Sequence, residues 1–82
     1  PHWGASKKVS QLISTARWWG SVLLDLHGCR LSALPHQQEA WEGLQQLQDL
    51  HLHENTITSL PAELPMCLPN LTRLVLDHNH LE

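Results

Sequence analysis

Between Leu47 and Pro61 the apolar positions fall as Leu47-x-x-Leu50-x-Leu52-x-x-Asn55-x-Ile57-x-x-Leu60-Pro61. The phasing returns as Leu71-x-x-Leu74-x-Leu76-x-x-Asn79-x-Leu81. It occurs earlier, in shorter form, as Leu24-x-Leu26-x-x-Cys29-x-Leu31-x-x-Leu34-Pro35. From Leu24 to Leu50 is 26 residues, and from Leu50 to Leu74 is 24. Each Leu-x-Leu alternates apolar and polar positions. That is the period of a short strand whose leucines point inward. Leu24/Leu26, Leu50/Leu52 and Leu74/Leu76 are therefore predicted to stack as successive parallel strands. Each strand is followed by a turn slot holding Cys29, Asn55 or Asn79. A buried turn leaves backbone N–H and C=O groups that need partners. Asparagine meets both needs with one side chain, so Asn55 and Asn79 are predicted to form a ladder. The Cys29 thiol is a weaker partner that fits the same space.

The connecting segments read less regularly. His36 to Leu47 is rich in Gln and Glu, with Ala40, Trp41, Leu44 and Leu47 at helical spacing. A short helix is predicted there, with Trp41 and Leu44 turned inward. In the next connection Pro61, Pro65 and Pro69 remove backbone donors, so a 3-10 turn or extended chain is expected instead. At the N-terminal end, Ser6 can cap a helix with apolar positions Val9, Leu12, Ile13 and Ala16, and Gly20 stops it. Trp18 and Trp19 lead from it into the first strand. Trp3 falls in a segment expected to be poorly ordered.

The three phased copies resemble the leucine-rich repeat family, whose pattern L-x-x-L-x-L-x-x-N/C-x-L recurs about every 20–29 residues. The resemblance covers about residues 21–82. It implies an α/β solenoid, with short parallel strands on a concave face and helical or 3-10 segments on a convex one. Residues 1–20 are then an N-terminal segment with a capping helix, because solenoid ends must be covered. Residues 21–82 are about three repeats. The third has its strand and asparagine but no convex return before Glu82. The chain is therefore expected to be a piece of a longer repeat protein, with an open C-terminal edge that invites self-association. The Leu-Pro endings at Leu34-Pro35 and Leu60-Pro61 resemble those of intracellular members. A cytoplasmic location is expected, replaced by secretion if an upstream signal peptide exists.

The resemblance implies a module or scaffold that binds a partner protein through its concave face. Register lines up the outward positions in columns: Asp25, His51, Val75; His27, His53, Asp77; Gly28, Glu54, His78; and Leu23, Asp49, Arg73. The candidate binding residues are Asp25, His27, Asp49, His51, His53, Glu54, Arg73, Val75, Asp77 and His78. Such a face suits a protein surface read by charge and hydrogen bonds. Three strands make a patch well below the standard interface of about 800 Å² per partner. One alternative is a regulatory or targeting segment of a larger enzyme or receptor.

A second alternative is histidine-mediated metal binding. The chain has seven histidines, and His51 and His53 share one face. His27 and Asp77 would flank His53 in its column. Zinc accepts imidazole and carboxylate ligands. These side chains are expected to point out in parallel rather than converge, so no metal centre and no cofactor is expected. With histidine pKa values near 6.5, protonation of the same cluster would make the face more positive and alter partner binding.

Composition narrows the remaining classes. Of 82 residues 17 are leucine and none is Tyr or Phe, as expected when one side chain fills equivalent slots repeatedly. Lys and Arg number 5 against 8 Asp and Glu, with no basic block beyond Lys7-Lys8. Nucleic acid is thus not an expected partner. No apolar stretch approaches the roughly 20 residues of a membrane helix, so membrane insertion is not expected. Cys29 and Cys67 read as two buried, reduced thiols rather than a disulfide framework. No nucleophile elbow or phosphate loop occurs, and no enzyme is expected. Asn70-Leu71-Thr72 matches the glycosylation sequon, but the repeat pattern itself produces it.

Overall fold

The computed structural model describes residues 7–81. Three short strands, β1 (Leu23–Asp25), β2 (Asp49–His51) and β3 (Arg73–Val75), form one sheet in the order β1-β2-β3. Both pairings are parallel, with Leu24 opposite Leu50 and Leu50 opposite Leu74. The repeat spacing sets this register. A slip of one residue would turn every leucine from the core to solvent. Leu26, Leu52 and Leu76 lie just past the strand ends, and the ladder continues through the first two. The Leu26 N–H donates to His51 O at 2.8 Å, and the Leu52 N–H to Val75 O at 2.8 Å.

Helix α1 (Lys7–Trp19) packs against β1 and contributes Val9, Ile13 and Ala16 to the core, with Leu12 partly buried beside them. These are the positions its spacing predicted. The helix ends at Gly20, whose φ of 59° suits a residue without a Cβ. The Gly20 N–H reaches back to Arg17 O, and the Ser21 N–H to Ala16 O at 3.0 Å. That pair of bonds satisfies carbonyls the helix end would otherwise leave open. Ser6 and Trp3 lie outside the described residues.

Two connections differ from expectation. Between β1 and β2 the chain forms a single 3-10 turn, Gln38–Trp41, and not a longer helix. The N–H groups of Ala40, Leu44 and Leu47 each donate to the carbonyl three residues back. This tight winding still turns Ala40, Trp41, Leu44 and Leu47 into the core. Gly43, at φ 82°, interrupts any helix here, and Arg17 from α1 crosses the gap. Its guanidinium donates to Ala40 O at 2.7 Å and Glu42 O at 2.8 Å. A Cβ on Gly43 would come within 3.3 Å of the Arg17 stem.

Between β2 and β3 the order reverses, and the proline-rich stretch contains a true α-turn, α2 (Leu64–Cys67). The N–H groups of Cys67 and Leu68 donate to the carbonyls four residues back. Pro65 is tolerated because it sits in the first turn, where its missing N–H has no partner to lose. Beside α2, Leu60, Pro61, Leu64, Leu68, Leu71 and Leu74 line an open apolar cleft of about 470 Å³. Leu74 and Leu76 of the last copy are only partly buried, unlike Leu50 and Leu52.

Candidate functional site

The asparagine slots hold the repeats together. Asn55 is 4% exposed. Its Oδ1 accepts from the N–H groups of Cys29 and Leu31, both at 3.0 Å. Its Nδ2 donates to Leu26 O at 3.0 Å and Leu52 O at 2.9 Å. One side chain thus serves two donors and an acceptor of the preceding repeat as well as its own strand. Asn79 repeats the arrangement one step on, accepting from the Ile57 N–H at 3.0 Å and donating to Leu52 O at 2.8 Å. Cys29 donates only to His27 O, at 3.4 Å. Among the described residues β1 is the first strand of the sheet, and no preceding strand there offers the Cys29 slot backbone groups to satisfy. Thr56 adds a clamp that the sequence did not signal, donating from both N–H and Oγ1 to Leu31 O.

The outward columns follow the strand pairing. Leu23 lies opposite Asp49 and then Arg73, and Asp25 lies opposite His51 and then Val75. Past the strands, the Gly28 N–H donates to His53 O and the Glu54 N–H to Asp77 O. Gly28, Glu54 and His78 share a left-handed backbone, at φ 61°, 61° and 59°. This column is therefore a turn geometry repeated in the three copies, with the Glu54 and His78 side chains exposed. A Cβ on Gly28 would meet nothing within 4 Å, so only the backbone conformation favours glycine there. Gly28→Ala is expected to destabilise the chain by about 1 kcal/mol, from the cost of the left-handed conformation. Chemical denaturation checks this, and an unchanged midpoint would contradict it.

The polar groups of the face are coupled. The Asp25 Oδ1 accepts from His27 Nδ1 at 2.7 Å and from the His27 backbone N–H at 3.1 Å. The ring bond requires the proton on Nδ1, because a carboxylate only accepts. Desolvation pushes the Asp25 pKa up, but the two His27 hydrogen bonds and the charges of His27 and His51 outweigh it. The net shift is downward from the usual carboxylate value. The His27 and His53 rings stack in parallel, with centroids 4.9 Å apart and planes within 3°. His51 is tilted against His53 at 5.9 Å. The Nδ1 of His53 is buried and has no hydrogen-bond partner.

The sequence columns grouped His53 with His27 and Asp77. The His27–His53 stack keeps the first two of these together, and the structure also gathers Asp25, His51 and His53, whose ligand atoms all lie within 4.8 Å of one another.

Cys29 and Cys67 are both buried and unpaired. Burial, followed by the charges of Glu63 and Glu39, raises the Cys67 pKa, which disfavours a reactive thiolate. The side-chain N–H of Asn70 donates to Gln45 O at 2.9 Å, so this sequon asparagine also ties its copy to the preceding segment. Trp18 and Trp19, read from sequence only as a lead into β1, are 83% and 74% exposed. Val22 and Leu23 continue this exposed apolar run into the sheet.

The parallel strands, their in-register leucines and the asparagine slots are those of a repeat-based interaction fold. Residues 22–81 match the family model for the leucine rich repeat, and the chain belongs to that family. Domains of this family generally mediate protein–protein interaction and are generally non-enzymatic. Among the described residues no helix is long and apolar enough to cross a membrane.

Proposed function

We propose that this chain is a protein-interaction module that docks a partner protein on the outward face of β1–β3, the concave side of a leucine-rich repeat solenoid. α1 acts as its N-terminal cap, covering core leucines with Val9, Ile13 and Ala16. The observation that carries the reading is the division of labour within each strand. Leu24 and Leu50 are consumed by the core, and the alternate positions present Asp25, Asp49, His51 and Arg73, with Leu23 and Val75 at two corners. Trp18, Trp19, Val22 and Leu23 add exposed apolar area along the segment that leads from α1 into β1. Large aromatic anchors ringed by polar groups are the composition that interface hot spots favour.

The test uses two charge-altered variants of the full chain. Asp49→Lys with Arg73→Glu inverts the centre of the face. Ser32→Glu with Thr58→Glu alters exposed positions outside the sheet. Partners captured by the immobilised wild-type chain are quantified against both variants, after circular dichroism confirms equal folding. The face variant is expected to bind at least about tenfold more weakly, and the other variant as wild type. Loss confined to the Ser32/Thr58 variant would place docking elsewhere.

A further inference from the structure

The geometry points to a zinc-class divalent metal site on the sheet face, formed by Asp25, His51 and His53. Strand pairing places Asp25 directly opposite His51, and His53 follows His51 on the same side of its strand. Three hard-to-borderline donors, one carboxylate and two imidazoles, thereby converge from two adjacent repeats. Their ligand atoms lie within 4.8 Å of one another. Zinc holds such ligands at about 2.0–2.1 Å, which puts neighbouring donors roughly 3.4 Å apart in a tetrahedron. Binding would draw the three donors together by rotation of their side chains.

Two features favour that closure. His53 Nδ1 is buried without a hydrogen-bond partner, so the ring gives up no bond at that nitrogen when it turns or ligates. Asp25 is already held by the ring and backbone N–H groups of His27. Metal-ligating carboxylates are typically fixed by such outer hydrogen bonds. His27 is therefore a positioning residue, not a ligand. Three protein donors leave a fourth position for water or for a donor from a docked molecule, as in open zinc sites. The site stands on this geometry and is independent of the protein-docking reading.

The test is calorimetric titration of the full, metal-free chain with zinc chloride at neutral pH. One equivalent is expected to bind. His51→Ala, His53→Ala and Asp25→Asn are each expected to weaken binding at least about tenfold, and His27→Ala by roughly tenfold. His36→Ala and His80→Ala, whose rings lie outside the cluster, are expected to leave it unchanged. Circular dichroism melts show whether each variant is folded. Cobalt loading gives a second readout, since four-coordinate Co²⁺ has intense visible absorption that six-coordinate Co²⁺ lacks. Absence of a stoichiometric site in the wild-type chain overturns the proposal. So does equal loss in the His36 or His80 variant, which would make the exposed histidines a diffuse collector.

Discussion

Asn55→Ala is expected to remove a large share of the protein's folding stability. The substitution leaves the buried N–H groups of Cys29 and Leu31 without an acceptor and removes the donor to Leu26 O and Leu52 O. Each stranded buried polar group costs about 1–3 kcal/mol, and partial access of water offsets some of that. A loss of about 3–5 kcal/mol follows. A chain of this length has a total stability on the order of 4–12 kcal/mol. Asn79→Ala is expected to cost less, about 1–2 kcal/mol, because Asn79 is half-buried and its unpaired groups reach solvent more easily. The contrast is the diagnostic part. Urea denaturation of both variants should rank Asn55 well above Asn79. Equal effects would mean that the slot acts through local turn propensity and not through bonds to the preceding repeat.

The second large effect is expected at Trp41. This indole is fully buried, and its Nε1–H donates to Pro35 O at 2.9 Å. Trp41→Ala removes the largest side chain of the core and is expected to cost about 3–5 kcal/mol. Trp41→Phe keeps much of the apolar contact but strands the Pro35 carbonyl, at about 1–3 kcal/mol. The two values separate packing from hydrogen bonding. Thermal melts followed by far-ultraviolet circular dichroism provide the measurement. A Phe variant as unstable as the Ala variant would assign the role of Trp41 to its N–H alone. A wild-type midpoint for the Ala variant would contradict its place in the core.

The strands and their register were legible because each copy repeats the same inward spacing. Only one alignment buries Leu24, Leu50 and Leu74 together. The asparagine role was legible too, since a buried turn needs both a donor and an acceptor. The connections were less so. Helical spacing at Ala40, Trp41, Leu44 and Leu47 predicts which side chains are buried, but 3-10 winding buries the same set. The choice between them rests on Gly43 and on the Arg17 guanidinium, which arrives from a distant helix. Pro65 argues against a helix only in its interior, and sequence does not reveal that it falls in the first turn.

The face was legible as columns of Cα positions, not as side-chain geometry. Register places Asp25 beside His51, yet side-chain torsions decide whether their donors meet. The grouping with His53 runs diagonally across columns, which strand register alone does not reveal. The left-handed turn at Gly28, Glu54 and His78 was hidden for a related reason. Only one of the three positions carries the glycine that would have announced it.

Amide hydrogen exchange read by nuclear magnetic resonance tests the central claim most directly: that the asparagine slots lock in-register repeats and so assemble the face. The N–H groups of Cys29 and Leu31, bonded to Asn55, are predicted to exchange as slowly as the ladder N–H groups of Leu26 and Leu52. In Asn55→Cys, where the slot residue can no longer accept both bonds, Cys29 and Leu31 should lose protection first. Exchange of Leu26 and Leu52 at the rate of exposed loop amides in the wild-type chain would contradict the stacked register, and the arrangement of the face with it.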